Sequence, residues 1–243
     1  MEVGTDLSLD SPHVSTISLT PAEKTRYREM IGCLMYAAVM TRPDIAFAVS
    51  TLSQFLDSAR STHLQAISRV FRYLSGMKNF RLILGGLEPT IVSYSDSDWA
   101  SQNHRHSIST FFIGTGAVSW SSKKQPIITL SSTEAEYVAL THASKEIIWI
   151  HKLLNEFTSI FLLNLPTTLY CDNQGAICLS KDSTFHGCTK HIDVHFHFIW
   201  QTVSQNHVTL LYCPMDDMVA DTFTKPLARY NISKPWALFR RLQ

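Results

Sequence analysis

The sequence lacks an excess of charge of either sign, because its 21 lysine and arginine residues nearly cancel its 20 aspartate and glutamate residues. This balance excludes a polybasic or histone-like nucleic-acid binder, so any nucleic-acid contact must come from local patches. The chain of 243 residues is 45% hydrophobic and only 17% charged. That composition excludes a disordered tail and predicts a chain with a sizeable core.

Cysteines are few and odd in number: the chain has five, scattered between positions 33 and 213. A chain of this size folds without disulfides, so we expect reduced thiols and an intracellular setting, cytoplasmic or nuclear. The N-terminal MEVGTDLSLD has neither a basic segment nor an apolar run, so it predicts no secretory signal. The most apolar stretch, residues 31–49, is interrupted by Arg42, Pro43 and Asp44, which argues against a membrane span and a membrane partner.

Changes in composition and periodicity divide the chain into four predicted segments. Residues 1–22, rich in Ser, Thr, Asp and Pro, predict a flexible lead-in. Residues 23–88 show a helical pattern without a catalytic constellation, which predicts a small helical module for packing or positioning. Residues 89–229 have the pattern of a second domain, and residues 230–243 are interpreted as a C-terminal tail.

The second domain mixes the periodicities of strands and helices. Strands are predicted at 91–96, 108–113, 117–121, 167–172 and 208–213. A long helix is predicted from Ser131 to about Phe157, and shorter helices begin near residues 173, 190 and 216. Three consecutive strands followed by alternating helices and strands predict an α/β fold, a mixed five-stranded sheet in the order βββαβαβα.

Carboxylates occupy positions that such a sheet brings together. Asp96 and Asp172 end predicted strands, and Asp221 lies early in the helix after the last strand. The carboxyl ends of parallel strands converge on the ligand crevice of an open α/β sheet. We therefore expect these three side chains at one edge, with Asp98, two residues beyond Asp96, as a second-ranked candidate.

Two glutamates near the start of the long helix have different predicted roles. Glu136 lies at the N-terminal end of an apolar stripe with helical spacing, so it is the functional candidate. The rest of the stripe is Leu140, Ala143, Ile147, Ile150 and Leu154. Glu134 lies three residues after Ser131, the spacing of a capping box, so we expect it to cap the helix.

Four carboxylates at one edge repel one another unless a cation lies among them. Oxygen ligands at an open crevice favour Mg²⁺ or Mn²⁺ over zinc, and two such ions form the arrangement that hydrolyses phosphodiesters. The alternative is that these are surface aspartates that cap the following helices, an ordinary role for Asp172 in particular.

A group of His and Cys residues between positions 186 and 197 offers zinc ligands by type. Its members are His186, Cys188, His191, His195 and His197. The group contains no Cys-x-x-Cys pair, so we expect no zinc site there.

Six motifs follow one another in the chain. They are Tyr94–Ala100 (YSDSDWA), Ser119–Gln125 (SWSSKKQ), Leu130–Tyr137 (LSSTEAEY), Asp172–Ala176 (DNQGA), Thr189–Asp193 (TKHID) and Ala220–Leu227 (ADTFTKPL). Together they resemble the ribonuclease H domain of copia-type LTR retrotransposon Pol polyproteins. The upstream TRPDIAFAV at 41–49 resembles the segment that joins reverse transcriptase to that domain, and the whole resemblance covers about residues 27–227.

This resemblance implies a ribonuclease H-like fold that cleaves the RNA strand of RNA–DNA hybrids with two Mg²⁺ ions. It also implies a partner, the reverse transcriptase portion of the parent polyprotein. The implied catalytic and metal-binding residues are Asp96, Glu136, Asp172 and Asp221, the same four that their positions indicate. Candidate nucleic-acid contacts are Asn173 and Gln174 near the RNA, and Lys123, Lys124 and Lys190 at phosphates.

Two other functions stay open at the level of sequence. A fragment that keeps the fold but no longer cleaves could still bind hybrid duplexes, and another nuclease or an integrase-like enzyme could use the same fold. The order of the carboxylates and the ADTFTKPL sequence at 220–227 favour ribonuclease H over integrase.

Overall fold

A computed structural model describes most of the chain. The described residues are 7, 11, 14, 17–84, 91–98, 106–114, 116–125, 127–157, 166–181, 193–220 and 239–241. The chain divides into two compact units, which we call the helical unit (residues 1–82 and 225–243) and the sheet unit (residues 83–224).

The helices and strands are numbered in chain order. The helices are α1 Pro21–Met40, α2 Ala46–Ser53, α3 Ser61–Gly76, α4 Ser132–Glu156, α5 Gln174–Lys181 and α6 Asp193–Ser204. The strands are β1 Phe80–Leu82, β2 Ile91–Asp98, β3 His106–Ile113, β4 Gly116–Lys124, β5 Thr167–Cys171, β6 Val208–Tyr212 and β7 Phe239–Arg241. Among the helices in the described ranges, none has the length and apolar character that a bilayer span requires.

The helical unit begins with a complete capping box. Thr20 Oγ1 accepts a hydrogen bond from the Glu23 backbone N–H, and the Glu23 carboxylate accepts one from the Thr20 N–H at 2.9 Å. Pro21 occupies the first turn, where a missing N–H costs nothing. Further along, Tyr27 Oη donates to the Leu52 carbonyl oxygen at 2.8 Å, so the hydroxyl is satisfied inside the core that α1 shares with α2.

The two terminal segments differ from the sequence expectation at the residues described. Leu7 and Leu19, in the predicted flexible lead-in, are 2% and 6% exposed and belong to the core of the helical unit. The segment 230–243, interpreted as a tail, contains β7, which pairs antiparallel with β1. Composition missed both because isolated apolar residues and a three-residue strand leave no periodic signal.

His63 makes the helical unit sensitive to acid. Its ring is fully buried, Nδ1 accepts from the Arg60 N–H at 3.0 Å, and Nε2 donates to the Leu7 carbonyl oxygen at 2.9 Å. A proton added at Nδ1 would point at the Arg60 N–H, which is itself a donor, so these two contacts favour the neutral form of the ring. Burial lowers the pKa of His63 below its ordinary 6.5, and the neighbouring Arg60 charge acts in the same direction.

We expect the free energy of unfolding of the helical unit to fall as the pH drops below about 6.5, because the unfolded chain then binds a proton that folded His63 refuses. Urea denaturation at about pH 7.5 and about pH 5 measures this loss. The variant His63→Gln lacks the titrating group and should lose less stability between the two pH values. An equal loss of stability in the wild type and in His63→Gln would contradict the conclusion that His63 causes the sensitivity to acid.

The sheet unit contains a mixed five-stranded sheet in the order β4-β3-β2-β5-β6. The β2–β3 and β3–β4 pairs are antiparallel, and the β2–β5 and β5–β6 pairs are parallel. This arrangement confirms the predicted α/β class and the predicted mixed five-stranded sheet. Because β2, β5 and β6 run in the same direction, their carboxyl ends lie along one edge of the sheet.

Helix α4 packs on this sheet through the predicted stripe and begins with the predicted cap. The Glu134 N–H donates to Ser131 Oγ at 3.2 Å, and the Glu134 carboxylate accepts from the Leu130 N–H at 2.7 Å. The first bond satisfies an amide group that the first turn leaves unpaired, and the second holds the residue that precedes the N-cap. Ser131 is thus the N-cap of α4, and Glu134 stabilises the start of the helix as predicted, with its carboxylate on the Leu130 N–H.

Candidate active site

Glu136 lies at the N-terminal end of the buried face of α4 and is 5% exposed. Its Oε1 accepts two hydrogen bonds from Ser97, one from the backbone N–H at 3.0 Å and one from Oγ at 2.9 Å. The stripe behind it is buried at Leu140, Ala143, Ile147 and Ile150. Since Ser97 directly follows Asp96 on β2, these bonds fasten the Glu136 carboxylate to the strand that carries the first candidate aspartate.

Asp172 reaches the same place from a different strand. It follows the last residue of β5, and β5 is the parallel neighbour of β2, with Tyr170 paired to Tyr94. A carboxylate oxygen of Asp172, a carboxylate oxygen of Glu136 and the Sγ of Cys171 all lie within 4.8 Å of one another. The folded chain thus brings together two carboxylates that are far apart in the sequence.

The negative charge at this edge is concentrated and buried. Asp96 is 1% exposed. Burial, and then the charges of Asp96 and Asp172, raise the pKa of Glu136 well above its usual range, against the opposing effect of the Ser97 hydrogen bonds. Burial, helped by the Glu136 charge, likewise raises the pKa of the Cys171 thiol. A cation bound at this edge would offset this repulsion and stabilise the ionised carboxylates.

The donor set fits a hard divalent cation. Asp96, Glu136 and Asp172 supply carboxylate oxygens, the ligands that Mg²⁺ and Mn²⁺ prefer. The sulfur of Cys171 is a soft donor that such ions do not use.

Two predicted RNA contacts lie beside this edge at the start of α5. Asn173 Oδ1 accepts a hydrogen bond from the Ala176 N–H at 3.0 Å, so the side chain caps the helix. Gln174, the first residue of α5, is exposed. The cap fixes where the Asn173 amide group stands, and the contacts of both residues with RNA stay predictions.

Two predicted phosphate contacts lie at the end of β4. Lys123 and Lys124 are exposed, and Lys124 pairs with His106, which in turn pairs with Asp98 at the carboxyl end of β2. The sheet register therefore places both lysines toward the edge that carries the carboxylates.

Several predicted residues lie outside the described part of the structure. They are Asp221, Lys190, His186, Cys188 and His191. For His195 and His197 the structure describes the backbone of α6 only. The roles assigned to these residues stay predictions.

Ser97 and Cys171 are the site residues that sequence reasoning missed. Each lies next to a candidate aspartate, Ser97 after Asp96 and Cys171 before Asp172. For Cys171, the signal in the sequence was the alternation of side chains along a strand. Cys171 follows the buried Leu169 by two residues, so both side chains lie on the face of the strand that packs against α4.

Comparisons with known proteins give relatives that match most of this chain. It is 41% identical over 209 residues to the retrovirus-related Pol polyprotein from transposon TNT 1-94 of Nicotiana tabacum, covering 85% of this chain and 16% of that protein. It is also 41% identical over 225 residues to the retrovirus-related Pol polyprotein from transposon RE1 of Arabidopsis thaliana, covering 90% of this chain and 15% of that protein. The chain thus spans less than a fifth of the length of either relative.

No protein-family model matches the chain. Among solved structures, the chain is similar to LC11-RNase H1, isolated from compost, with 17% identity and a TM-score of 0.39. That likeness covers 56% of this chain and 92% of the solved one.

Proposed function

The chain belongs to the retrovirus-related Pol polyproteins of copia-type retrotransposons, and from this we propose that its sheet unit is a metal-dependent ribonuclease H. Its substrate would be the RNA strand of RNA–DNA hybrids. The observation that carries the proposal is the meeting of Glu136 and Asp172, from α4 and from the end of β5, beside the buried Asp96.

The proposed metal ligands are Asp96, Glu136, Asp172 and Asp221. These residues would hold two Mg²⁺ or Mn²⁺ ions, whose positive charge would supply the activation of water and the stabilisation of the leaving oxygen that phosphodiester hydrolysis needs. The residues of the chain hold this centre in place: Ser97 orients the Glu136 carboxylate through two hydrogen bonds, and the Glu134 cap fixes the turn that presents it. Such orientation keeps the ligands in position before substrate arrives.

Substrate binding would use groups around the same edge. Lys123, Lys124 and Lys190 would contact phosphates, which position a duplex without reading its sequence. Asn173 and Gln174 would contact the RNA strand, where the 2′-hydroxyl distinguishes RNA from DNA. Since Asn173 Oδ1 accepts from Ala176, we expect its amide group to act as a donor toward the RNA.

The proposal also covers the polyprotein partner of this unit and its location in the cell. The reverse transcriptase portion of a parent polyprotein would produce the hybrid that this unit cleaves. We propose an intracellular location, cytoplasmic or nuclear, which the low cysteine content supports.

The test is a cleavage assay with the purified chain, Mg²⁺ and a hybrid labelled on its RNA strand. We expect cleavage of the RNA strand, no cleavage of a DNA duplex of the same sequence, and loss of activity when the metal is chelated. Asp172→Asn, which removes the negative charge of one proposed ligand without a change of size, should leave only background cleavage. A chain that binds the hybrid but does not cleave it with Mg²⁺ or Mn²⁺ would overturn the proposal in favour of a fragment that keeps the fold and binds nucleic acid.

A further inference from the structure

We propose that Cys171 makes the carboxylate centre an inhibitory binding site for a thiophilic divalent cation, Zn²⁺ or Cd²⁺, with Cys171, Glu136 and Asp172 as ligands. The inference rests on the proposed function, because the ion would block the centre assigned to hybrid cleavage.

The distances between the three donor atoms are close to those between the ligands of a tetrahedral metal ion. Cys171 Sγ lies 3.9 Å from Glu136 Oε2, and ligand atoms of both residues lie within 4.8 Å of one from Asp172. With a zinc–sulfur bond of about 2.3 Å and a zinc–oxygen bond of about 2.1 Å, tetrahedral geometry separates sulfur from oxygen by about 3.5 Å. The Cys171–Glu136 distance exceeds this separation by about 0.4 Å and the distances to Asp172 exceed it by at most about 1.3 Å, so the partly exposed Asp172 would make the largest adjustment.

The backbone that carries these donors is firmly held. Glu136 belongs to the buried face of α4, and Cys171 is fully buried at the end of β5, which is paired on both sides by β2 and β6. The Asn173 N–H donates to Cys171 Sγ at 3.4 Å and orients the sulfur. A preformed donor set costs an entering ion little reorganisation.

The sulfur distinguishes between classes of cation. Mg²⁺ takes oxygen ligands and gains nothing from a thiol, whereas Zn²⁺ and Cd²⁺ form strong bonds with thiolate. As the metal–sulfur bond forms, the Cys171 proton leaves to solvent, because a thiol that coordinates such an ion is deprotonated. The ion would occupy oxygens of Glu136 and Asp172 that Mg²⁺ requires, so it would compete with Mg²⁺. Asp172 is the most exposed of the three donors, so an ion coming from solvent would reach the site from the side of Asp172.

Direct binding is tested first, without any substrate. The full chain is titrated with Cd²⁺, and the ultraviolet charge-transfer band of the cadmium–thiolate bond is followed in wild type and in Cys171→Ser. We expect a band that saturates at one ion for this site in wild type and is absent in the variant. Cys213→Ser and Cys188→Ser are the controls, since Cys213 is also buried and Cys188 lies in the His-rich segment, and both should keep the band. A band that persists in Cys171→Ser would overturn the proposal.

Inhibition is tested second. With Mg²⁺ present, and with each protein compared with its own rate in the absence of Zn²⁺, the Zn²⁺ concentration that halves hybrid cleavage should rise by about tenfold or more in Cys171→Ser. Unchanged sensitivity to Zn²⁺ would refute the inhibitory role. Cys171→Ala provides a second variant if the serine variant does not fold. A Cys171-dependent cadmium band in a wild-type chain that never cleaves would refute the proposed function alone, and cleavage without such a band would refute the thiophilic site alone.

Discussion

Glu136→Gln is expected to abolish hybrid cleavage while raising the free energy of unfolding of the sheet unit in the absence of divalent cations. Glutamine keeps an Oε1 that accepts both hydrogen bonds from Ser97, but it carries no charge. The buried repulsion with Asp96 and Asp172, which raises the pKa of Glu136, therefore disappears. The same change removes a negatively charged metal ligand, so function and stability should move in opposite directions.

The expected magnitudes are a loss of cleavage of about 10³-fold or more and a gain in stability of about 1–2 kcal/mol. Single-turnover cleavage and urea denaturation with the metal chelated measure the two quantities. Glu134→Gln is the matched control, two residues away on the same helix. It should keep cleavage and weaken only the cap at Leu130. A destabilised Glu136→Gln, or a Glu134→Gln that no longer cleaves, would contradict this account of the site.

Asp44→Ala is expected to destabilise the helical unit by about 3–5 kcal/mol, the scale of breaking a buried ion pair from one side. Asp44 accepts two hydrogen bonds from Arg42, from Nε at 2.9 Å and from Nη2 at 2.6 Å. The side chains of Arg42 and Asp44 are only 14% and 5% exposed. The Arg42 guanidinium also lies 5.8 Å from the centre of the Tyr73 ring, so it would remain desolvated after the carboxylate is gone.

A second ion pair in the same unit provides the control for this experiment. Arg28 Nη2 lies 2.7 Å from Asp57 Oδ1, but these side chains are 54% and 94% exposed. Asp57→Ala should therefore cost no more than about 1 kcal/mol. Denaturant unfolding of both variants measures the difference. The double variant Arg42→Met, Asp44→Ala should recover much of the loss, since it leaves no buried charge. Equal losses for Asp44→Ala and Asp57→Ala would contradict the argument from burial.

The elements of the sheet unit were predictable because their signals are local. The strands alternate over five or more residues, and α4 is marked by the Ser131 cap and by its apolar stripe, so its bounds differ from the prediction by about one residue at each end. The pairing of β1 with β7 joins segments that are remote in sequence. Neither strand contains more than three residues, so no periodicity indicates it.

The carboxylates of the candidate site could be predicted from the sequence, but not all of its other residues could. Glu136 stood out because a charged residue interrupts an apolar stripe, and Asp96 and Asp172 because they end strands. Cys171 did not stand out, since a single buried cysteine is an ordinary core residue. Its importance depends on α4 lying against the end of β5, which is a tertiary contact that spacing along the chain does not contain.

The pairing of β1 with β7 also has a consequence for biosynthesis. The helical unit is discontinuous, because residues 83–224 of the sheet unit are inserted between its two portions. A ribosome therefore releases β1 well before β7, and the small antiparallel sheet cannot form until residues 239–241 have also emerged from the ribosome. The inserted sheet unit has by then emerged entirely, so it has the opportunity to fold first and to shorten the gap that the last strand must bridge.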